Sequence, residues 1–491
     1  MRRNQLFINL LSSIVSFSLS LIISFILTPY LINKVGKEAY SFYPLANNFI
    51  SYTSLLTISL NSMSSRFISV EFNKNNIDNA KSYYSTIFFS NIILSMILVV
   101  IALIFLLNIN EVLDIPDRFI FDVKLMFLLL FLSSICNIFS SVFSIGNIIK
   151  NRMEIVAIKD IFQNIFKGIL FIYIFKILGT SIICFGVVTF ILSFTNLIAQ
   201  YLINKKIFTE VNIDLKYFDF NKLKELVSSG IWNSINSLGV ILITSVSLFY
   251  SNALIGVDAT GDLSIVQVLP NFITTIISSI YGVLLPRVMF LYTSVDKNVI
   301  LNSIVIKYQK VLSIIATVPI LLAIVFGEEF FRLWIPSEDS KYLQNLSIIL
   351  LSPLIIHANM WILNSLNLMN NTIRIPSIIL IIVGILNIAI IFIVNALIDI
   401  KLIHIVFISS VLNILYYVIF IPIYTANTIK IDLYSIYRYI IKSLFFCILF
   451  IIISLYIKKY IIINGWIDLF LWSCIFGTIY ILILIIVYIK K

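Results

Sequence analysis

A chain of 491 residues that is 60% hydrophobic and 12% charged, with a mean hydropathy of +1.06, cannot hide its apolar side chains in a water-soluble core. Soluble domains carry about 25% charged residues, so the solvent this composition requires is a bilayer. The net charge of +11 would suggest nucleic acid on a soluble protein. Here it fits basic loops beside anionic lipid, and no nucleic-acid partner is expected.

The chain opens with Met1-Arg2-Arg3 and runs apolar from Leu6 to Leu31. That run is too long for the apolar core of a signal peptide, and no small-residue cleavage site follows, so it reads as the first span. Crossing about 30 Å of hydrocarbon takes about 20 apolar residues. By that measure, spans are expected near 7–31, 40–65, 83–107, 123–146, 155–175, 181–203 and 225–250. The series continues near 262–286, 303–327, 343–368, 375–397, 402–424, 439–460 and 466–489. The predicted fold class is an all-α polytopic membrane protein with about fourteen transmembrane helices and no soluble domain.

Charge sorts along this series. With the N-terminus inside and the spans alternating, 23 of the 34 basic residues fall on inside segments. They include the five lysines Lys205, Lys206, Lys216, Lys222 and Lys224 of the longest loop, 204–224. Ten fall outside, and Lys167 stays within a span. The outside segments hold 13 of the 23 acids, among them Asp114, Asp117, Asp258, Glu328 and Glu329. Both termini are therefore expected in the cytoplasm.

The loop at 204–224 divides the chain after six spans, and the sequence echoes itself across it. Gly36-Lys37-Glu38-Ala39 and Gly256-Val257-Asp258-Ala259 each open the second span of their half. Phe49-Ile50-Ser51 answers Phe272-Ile273-Thr274, and Arg66 answers Arg287; the offsets are 220, 223 and 221 residues. Six spans per copy keep both copies in one orientation, so the repeat is parallel. The expected organisation is a six-helix lobe over 1–210, a second over 211–430, and two further helices over 431–491.

Polar residues within spans mark where a cavity can form. The seventh span carries Asn233 and Asn236 in a helical stripe with Ser229; the second carries Asn47, Asn48, Ser54 and Asn61; the tenth carries His357, Asn359, Asn364 and Asn367. Such groups also bond neighbouring helices. So many amides need more partners than packing supplies, and a hydrated cavity is expected. Lys167 sits midway along the fifth span, where an ammonium is costly and by default faces a cavity or a partner. It could hold an anion such as phosphate, snorkel to the interface, or pair with Asp160. Arg66 and Arg287 end the second span of each copy. There they either meet a pyrophosphate at a cytoplasmic entrance or anchor the helix ends. Pro270, Gly282 and Pro286 let the helix before Arg287 bend.

Other chemistry lacks its residues. There is no P-loop, no pair of carboxylates at a span centre and no Ser–His–Asp arrangement. The four cysteines fall in apolar runs, and the only histidines are His357 and His404. Disulfides, a metal site and a cofactor are not expected, and the chain does not read as an enzyme.

The stretch from Thr28-Pro29-Tyr30-Leu31 through Gly36-Lys37-Glu38-Ala39-Tyr40 to Asn61-Ser62-Met63-Ser64-Ser65-Arg66-Phe67 resembles bacterial polysaccharide and O-antigen flippases. So does Ser229-Gly230-Ile231-Trp232-Asn233-Ser234-Ile235-Asn236-Ser237-Leu238-Gly239. Those proteins belong to the multidrug/oligosaccharidyl-lipid/polysaccharide (MOP) exporter superfamily. The likeness covers these stretches by sequence and the whole chain by topology. It implies a two-lobed, MATE-like transporter in the bacterial cytoplasmic (inner) membrane. Its cargo would be an undecaprenyl-pyrophosphate-linked oligosaccharide, moved outward by alternating access for O-antigen (lipopolysaccharide), capsule or another surface polysaccharide. The implied partners are that lipid-linked oligosaccharide, the bilayer, and polymerase or glycosyltransferase machinery. On this resemblance Lys167, Arg66 and Arg287 meet the pyrophosphate, and Asn61, Asn233 and Asn236 meet sugar hydroxyls. Two alternatives stay open. A cation-coupled drug exporter of the MATE type would have twelve spans and buried acids. A lipid II flippase also has fourteen spans but keeps more arginines in its cavity. A polymerase or ligase would carry a large outer loop, and the outer loops here are short.

Overall fold

The computed structural model describes residues 3–150, 152–278, 297–370, 372–430 and 432–489, and every regular element among them is helical. Inside a bilayer each backbone N–H and C=O must be bonded without water, and a helix achieves this within its own segment. Twelve of the described helices are long and apolar enough to cross a membrane. They coincide with twelve of the fourteen expected spans, and the chain is a multi-pass membrane protein. The second expected span does form a helix, Lys37–Asn61, but Asn47, Asn48 and its serines and threonines make it too polar to stand with the other twelve. The eighth is helical through residue 278; its remainder, with Arg287, lies outside the described residues.

The chain divides into two compact units. The first comprises Met1–Ile241 and Leu248–Gly261; the second comprises Leu242–Ser247 and Asp262–Lys491.

In the first unit the helices are α1 (Arg3–Val35), α2 (Lys37–Asn61), α3 (Ser64–Asn73), α4 (Ile77–Leu107), α5 (Ile109–Val112), α6 (Ile120–Ile149), α7 (Met153–Leu178) and α8 (Ile183–Ile207). They continue as α9 (Phe220–Thr244), α10 (Val246–Leu254) and α11 (Val257–Val266), which run into the unit boundary. Gly36 (φ 87°) turns the chain between α1 and α2, and Gly256 (φ 121°) turns it between α10 and α11. Side chains are strained at these angles, so each copy of the repeated motif begins on glycine.

The residues that follow the two glycines meet. Lys37 pairs with Asp258 at 2.8 Å, and Arg118 pairs with Glu38. Asn252 accepts from the backbone N–H of Asp114 at 2.9 Å and donates to its carbonyl at 3.2 Å. All of these belong to segments that the charge sorting groups on the outer side. At the opposite end the lysine-rich loop is fastened to the first turns of α4. Ser82 donates to the Tyr217 carbonyl (2.8 Å), Ser85 accepts from the Asp214 N–H (3.1 Å) and Thr86 accepts from the Asp219 N–H (3.0 Å). The hydroxyl of Tyr83 donates to Glu225 at 2.6 Å. These bonds explain why the first compact unit runs past 204–224 into α9.

The second unit contains α12 (Lys297–Trp334), α13 (Ser340–Met369), α14 (Arg374–Leu397) and α15 (Leu402–Leu415). A π-helical turn, Tyr416–Phe420, follows, then α16 (Ile421–Ile429), α17 (Leu433–Lys458) and α18 (Trp466–Ile489). α12 and α13 share an apolar core that includes Leu312, Ala316, Ile320, Leu351 and Met360, and Gln344 donates to the Ile324 carbonyl at 2.8 Å. α17 and α18 pack on α12 through Phe326, Phe450, Phe476 and Tyr480. A largely buried ion pair, Lys458–Glu329 at 2.7 Å, ties the end of α17 to α12.

Candidate functional site

The polar residues of α2 recur every three or four positions, so they share one face. Asn47, Ser51, Ser54, Thr57 and Asn61 form that face, with Ile50 and Ile58 beside them. Together with Ser134, Asn137, Ile138 and Ser141 of α6 they line a cavity of about 530 Å³, and none of the lining side chains is charged. Many of the hydroxyls donate to carbonyls three residues back on their own helix. Ser51 bonds to Asn48, Ser54 to Ser51, Thr57 to Ser54 and Ser141 to Ile138. Each such bond uses the hydroxyl's single donor and leaves its oxygen as an acceptor. The wall is therefore rich in acceptors and suited to groups that donate.

One end of the cavity is organised by amides. Asn61 and Asn91 exchange hydrogen bonds at 3.0 and 3.4 Å, and Asn61 also donates to Ser141 at 3.4 Å. Asn91 is fully buried. α9 presses on α2 beside this pair. A Cβ added at Gly230 would stand 1.8 Å from the Ser59 carbonyl oxygen, so only glycine fits. From the next turn Asn233 donates to the Ser62 hydroxyl at 3.2 Å, and Ser234 to the Leu55 carbonyl at 3.3 Å.

A second cavity, about 390 Å³, opens between α1 and α7 and is lined by Ser16, Ser20, Asp160, Gln163 and Asn164, among others. Lys167 follows on the same face of α7, one turn along. Its side chain is half-buried and has no hydrogen bond or ion pair among the described residues. The pairing with Asp160 does not form, because Asp160 is engaged by Lys159 at 3.1 Å, and Lys159 also donates to Asn196 of α8 at 2.5 Å. A third cavity, about 600 Å³, is basic, with Lys150, Arg152 and Lys206 set among Ile155, Ile203 and Ile207. There the Lys150 ammonium bonds to Glu210 and holds its carboxyl below the usual carboxylate range.

The sequence-derived site residues thus separate. Asn61 lines the α2–α6 cavity, and Asn233 is bonded to Ser62 on its margin. Asn236 is half-buried on α9, without a hydrogen bond among the described residues. Lys167 belongs to the α1–α7 face. Arg66 is exposed on α3 and unpaired among the described residues. Ser134, Asn137 and Ser141 were not singled out from the sequence, although their spacing of three and four on α6 carries the same signal as α2. Among the described residues no three His, Cys, Asp or Glu side chains gather to hold a metal.

Twelve helices long and apolar enough to cross a membrane define a polytopic membrane protein, and its architecture has solved counterparts. A multidrug resistance MATE family transporter of the MOP superfamily, inward-facing, superposes with a TM-score of 0.66 at 14% identity, over 84% of this chain and 94% of that one. Lipid II flippase MurJ, inward closed, gives 0.64 at 14%, over 97% and 98%. At this identity the likeness is one of fold. By sequence, the uncharacterized membrane protein EpsK of Bacillus subtilis (strain 168) is 23% identical over 295 residues. That alignment takes in 60% of this chain and 58% of EpsK, so the chain matches less than two thirds of that relative's length. Residues 6–290 match the family model described as polysaccharide biosynthesis protein. The chain belongs to the polysaccharide biosynthesis protein family.

Proposed function

We propose that the protein is a flippase of the cytoplasmic membrane. It moves an undecaprenyl-pyrophosphate-linked oligosaccharide from the inner to the outer leaflet for surface polysaccharide synthesis. The α2–α6 cavity carries this reading: an acceptor-rich, uncharged wall suits sugar hydroxyls, whereas an organic cation needs a carboxylate in its site. The apolar lipid tail stays in the bilayer while the head group crosses. Lys167 and Arg66 serve the pyrophosphate, and Asn61, Asn233 and Asn236 serve the sugars. Transport proceeds by alternating access, with both termini in the cytoplasm.

Deletion of the gene tests this. Surface polysaccharide should disappear while its lipid-linked precursor accumulates, and drug susceptibility should stay unchanged. Raised drug susceptibility with polysaccharide intact would overturn the proposal in favour of an exporter. A strain carrying Lys167→Ala and Arg66→Ala that keeps wild-type polysaccharide would remove the cationic roles. A second reading, lipid II as cargo, draws on the fold likeness to MurJ across 97% of the chain. It predicts lysis on depletion rather than loss of surface polysaccharide from growing cells.

A further inference from the structure

The basic cavity at the ends of α6, α7 and α8 takes no part in the cargo site. Its wall combines Lys150, Arg152 and Lys206 with Ile155, Ile203 and Ile207 around about 600 Å³. α6 ends at Ile149, α7 starts at Met153 and α8 ends at Ile207, so the cavity lies where three spans end. Buried amides fix the helices beside it. One turn in from Lys150, Asn147 donates to Gln200 at 3.1 Å; next to Ile203, Asn204 donates to the Tyr84 hydroxyl at 3.0 Å. The charge sorting groups this end with the inside segments.

Positive charge is left over here. Arg152 pairs with Glu154 and Lys150 with Glu210, and the Lys150 ammonium also lies over the Phe72 ring, 4.7 Å from its centroid. Lys206 is exposed and has no hydrogen bond or ion pair among the described residues. The three cations of the wall, set against two carboxylates, leave one positive charge unmatched. Lysines at a helix end also offset the dipole of its carbonyls, and Lys205 and Lys206 lie in the last turn of α8. That role needs no cavity and no isoleucines around the charge.

The isoleucines continue an apolar face. α7 exposes Ile158, Phe162, Ile165, Ile169 and Ile172, whose spacing of three and four puts them on one side of the helix. Ile155 extends that side into the cavity. α8 exposes Phe194, Ile198 and Leu202 at the same spacing. α7 is the least buried of the twelve candidate spans, with 17% of its apolar stretch covered, so its bare side lies against lipid. From Ile155 to Ile165 the helix rises about 15 Å, half of a hydrocarbon layer about 30 Å thick. An acyl chain of one leaflet fits along this side with its phosphate at the cavity.

We propose that the cavity binds an anionic phospholipid of the surrounding leaflet. One phosphodiester supplies the single negative charge that Lys206 leaves unmatched, and the acyl chains follow Ile155 and the apolar side of α7. A free phosphate would use the cations and leave the apolar side bare. A pyrophosphate brings more negative charge than the cavity balances. Basic pockets between spans on the cytoplasmic side take such head groups, because that leaflet supplies anionic lipid. This binding does not depend on the transport reading.

Native mass spectrometry of the purified chain in detergent tests the proposal, with phosphatidylglycerol and phosphatidylcholine of identical acyl chains added in equal amounts. The wild type should retain one phosphatidylglycerol about tenfold more tightly than phosphatidylcholine; equal retention overturns the proposal. Lys206→Gln should weaken phosphatidylglycerol about fivefold, and Arg152→Gln with Lys206→Gln should bring it to the level of phosphatidylcholine. Lys206→Arg, which keeps the charge, should bind as the wild type does, and so should Lys205→Gln, which lies outside the wall. A Lys205→Gln loss as large as that of Lys206→Gln would mean that retention follows surface charge alone, and it overturns the proposal. So does displacement of phosphatidylglycerol by inorganic phosphate or by a polyprenyl pyrophosphate at equal concentration, which would give the cavity to a different anion.

Discussion

In the first unit α2 and α6 face each other across amides and hydroxyls and enclose a cavity, whereas in the second α12 and α13 meet through Leu312, Ala316, Ile320 and Met360. Lipid is as apolar as leucine, so neither contact gains from expelling water. The α12–α13 contact is held by close packing and has no use for a polar cargo. The α2–α6 contact gives up some of that packing for acceptors whose donors are already satisfied within their own helices. The polar cavity wall therefore lies in the first unit, while the α12–α13 contact of the second is apolar.

Substitutions can break this contrast, and the greatest effect is expected where a polar seam still depends on packing. Gly230→Leu would drive α9 off α2, costing about 3 kcal/mol or more; thermal unfolding in detergent should show a large loss of stability, and a wild-type melting temperature would mean that the two helices do not meet this closely. Leu312→Ala in the second unit should cost about 2 kcal/mol through the void it leaves, and its loss should not depend on pH. Asn91→Leu removes the partner of Asn61. A smaller loss of about 1 kcal/mol is expected, together with a clear loss of surface polysaccharide. If stability fell with export unchanged, the amide pair would be scaffold only.

The smallest effect is electrostatic. Lys150 lowers the titration range of Glu210 in the folded protein. Stability from this pair is complete above the carboxyl's unfolded range near pH 4.3 and is lost as pH falls through the lower folded value. The Glu210 side chain is 41% exposed, so the contribution should stay below about 1 kcal/mol and shrink in salt. Glu210→Gln should remove that acid-dependent part of the melting curve between pH 5 and pH 3, and an unchanged acid slope would mean the pair contributes nothing.

The spans were legible in the sequence because hydropathy acts over whole helices. Twelve expected apolar runs reappear as helices, and the positions of Gly36 and Gly256 follow from a repeated motif whose backbone needs glycine. The site was legible only in part. Asn61 was legible as one of the polar residues within the second span, and spacing of three and four on α6 holds Ser134, Asn137 and Ser141. What spacing cannot give is which faces meet. Lys167 is the basic residue placed midway along an expected span, yet its face belongs to the α1–α7 seam and not to the α2–α6 cavity. Asp160, one of the partners open to it, is engaged by its chain neighbour Lys159. Likewise, the π-helical turn Tyr416–Phe420 has no sequence signature.

The central claim is that this protein carries lipid-linked oligosaccharide across a bilayer. Purified protein in vesicles loaded on one leaflet with undecaprenyl-pyrophosphate-linked oligosaccharide tests it most directly, read by how much glycan becomes accessible to an added glycosidase on the other side. Wild-type protein should expose the glycan within minutes, and a variant with Asn61, Ser134 and Asn137 replaced by leucine should not. Transfer by that variant at the wild-type rate, or none by the wild type, would contradict the account.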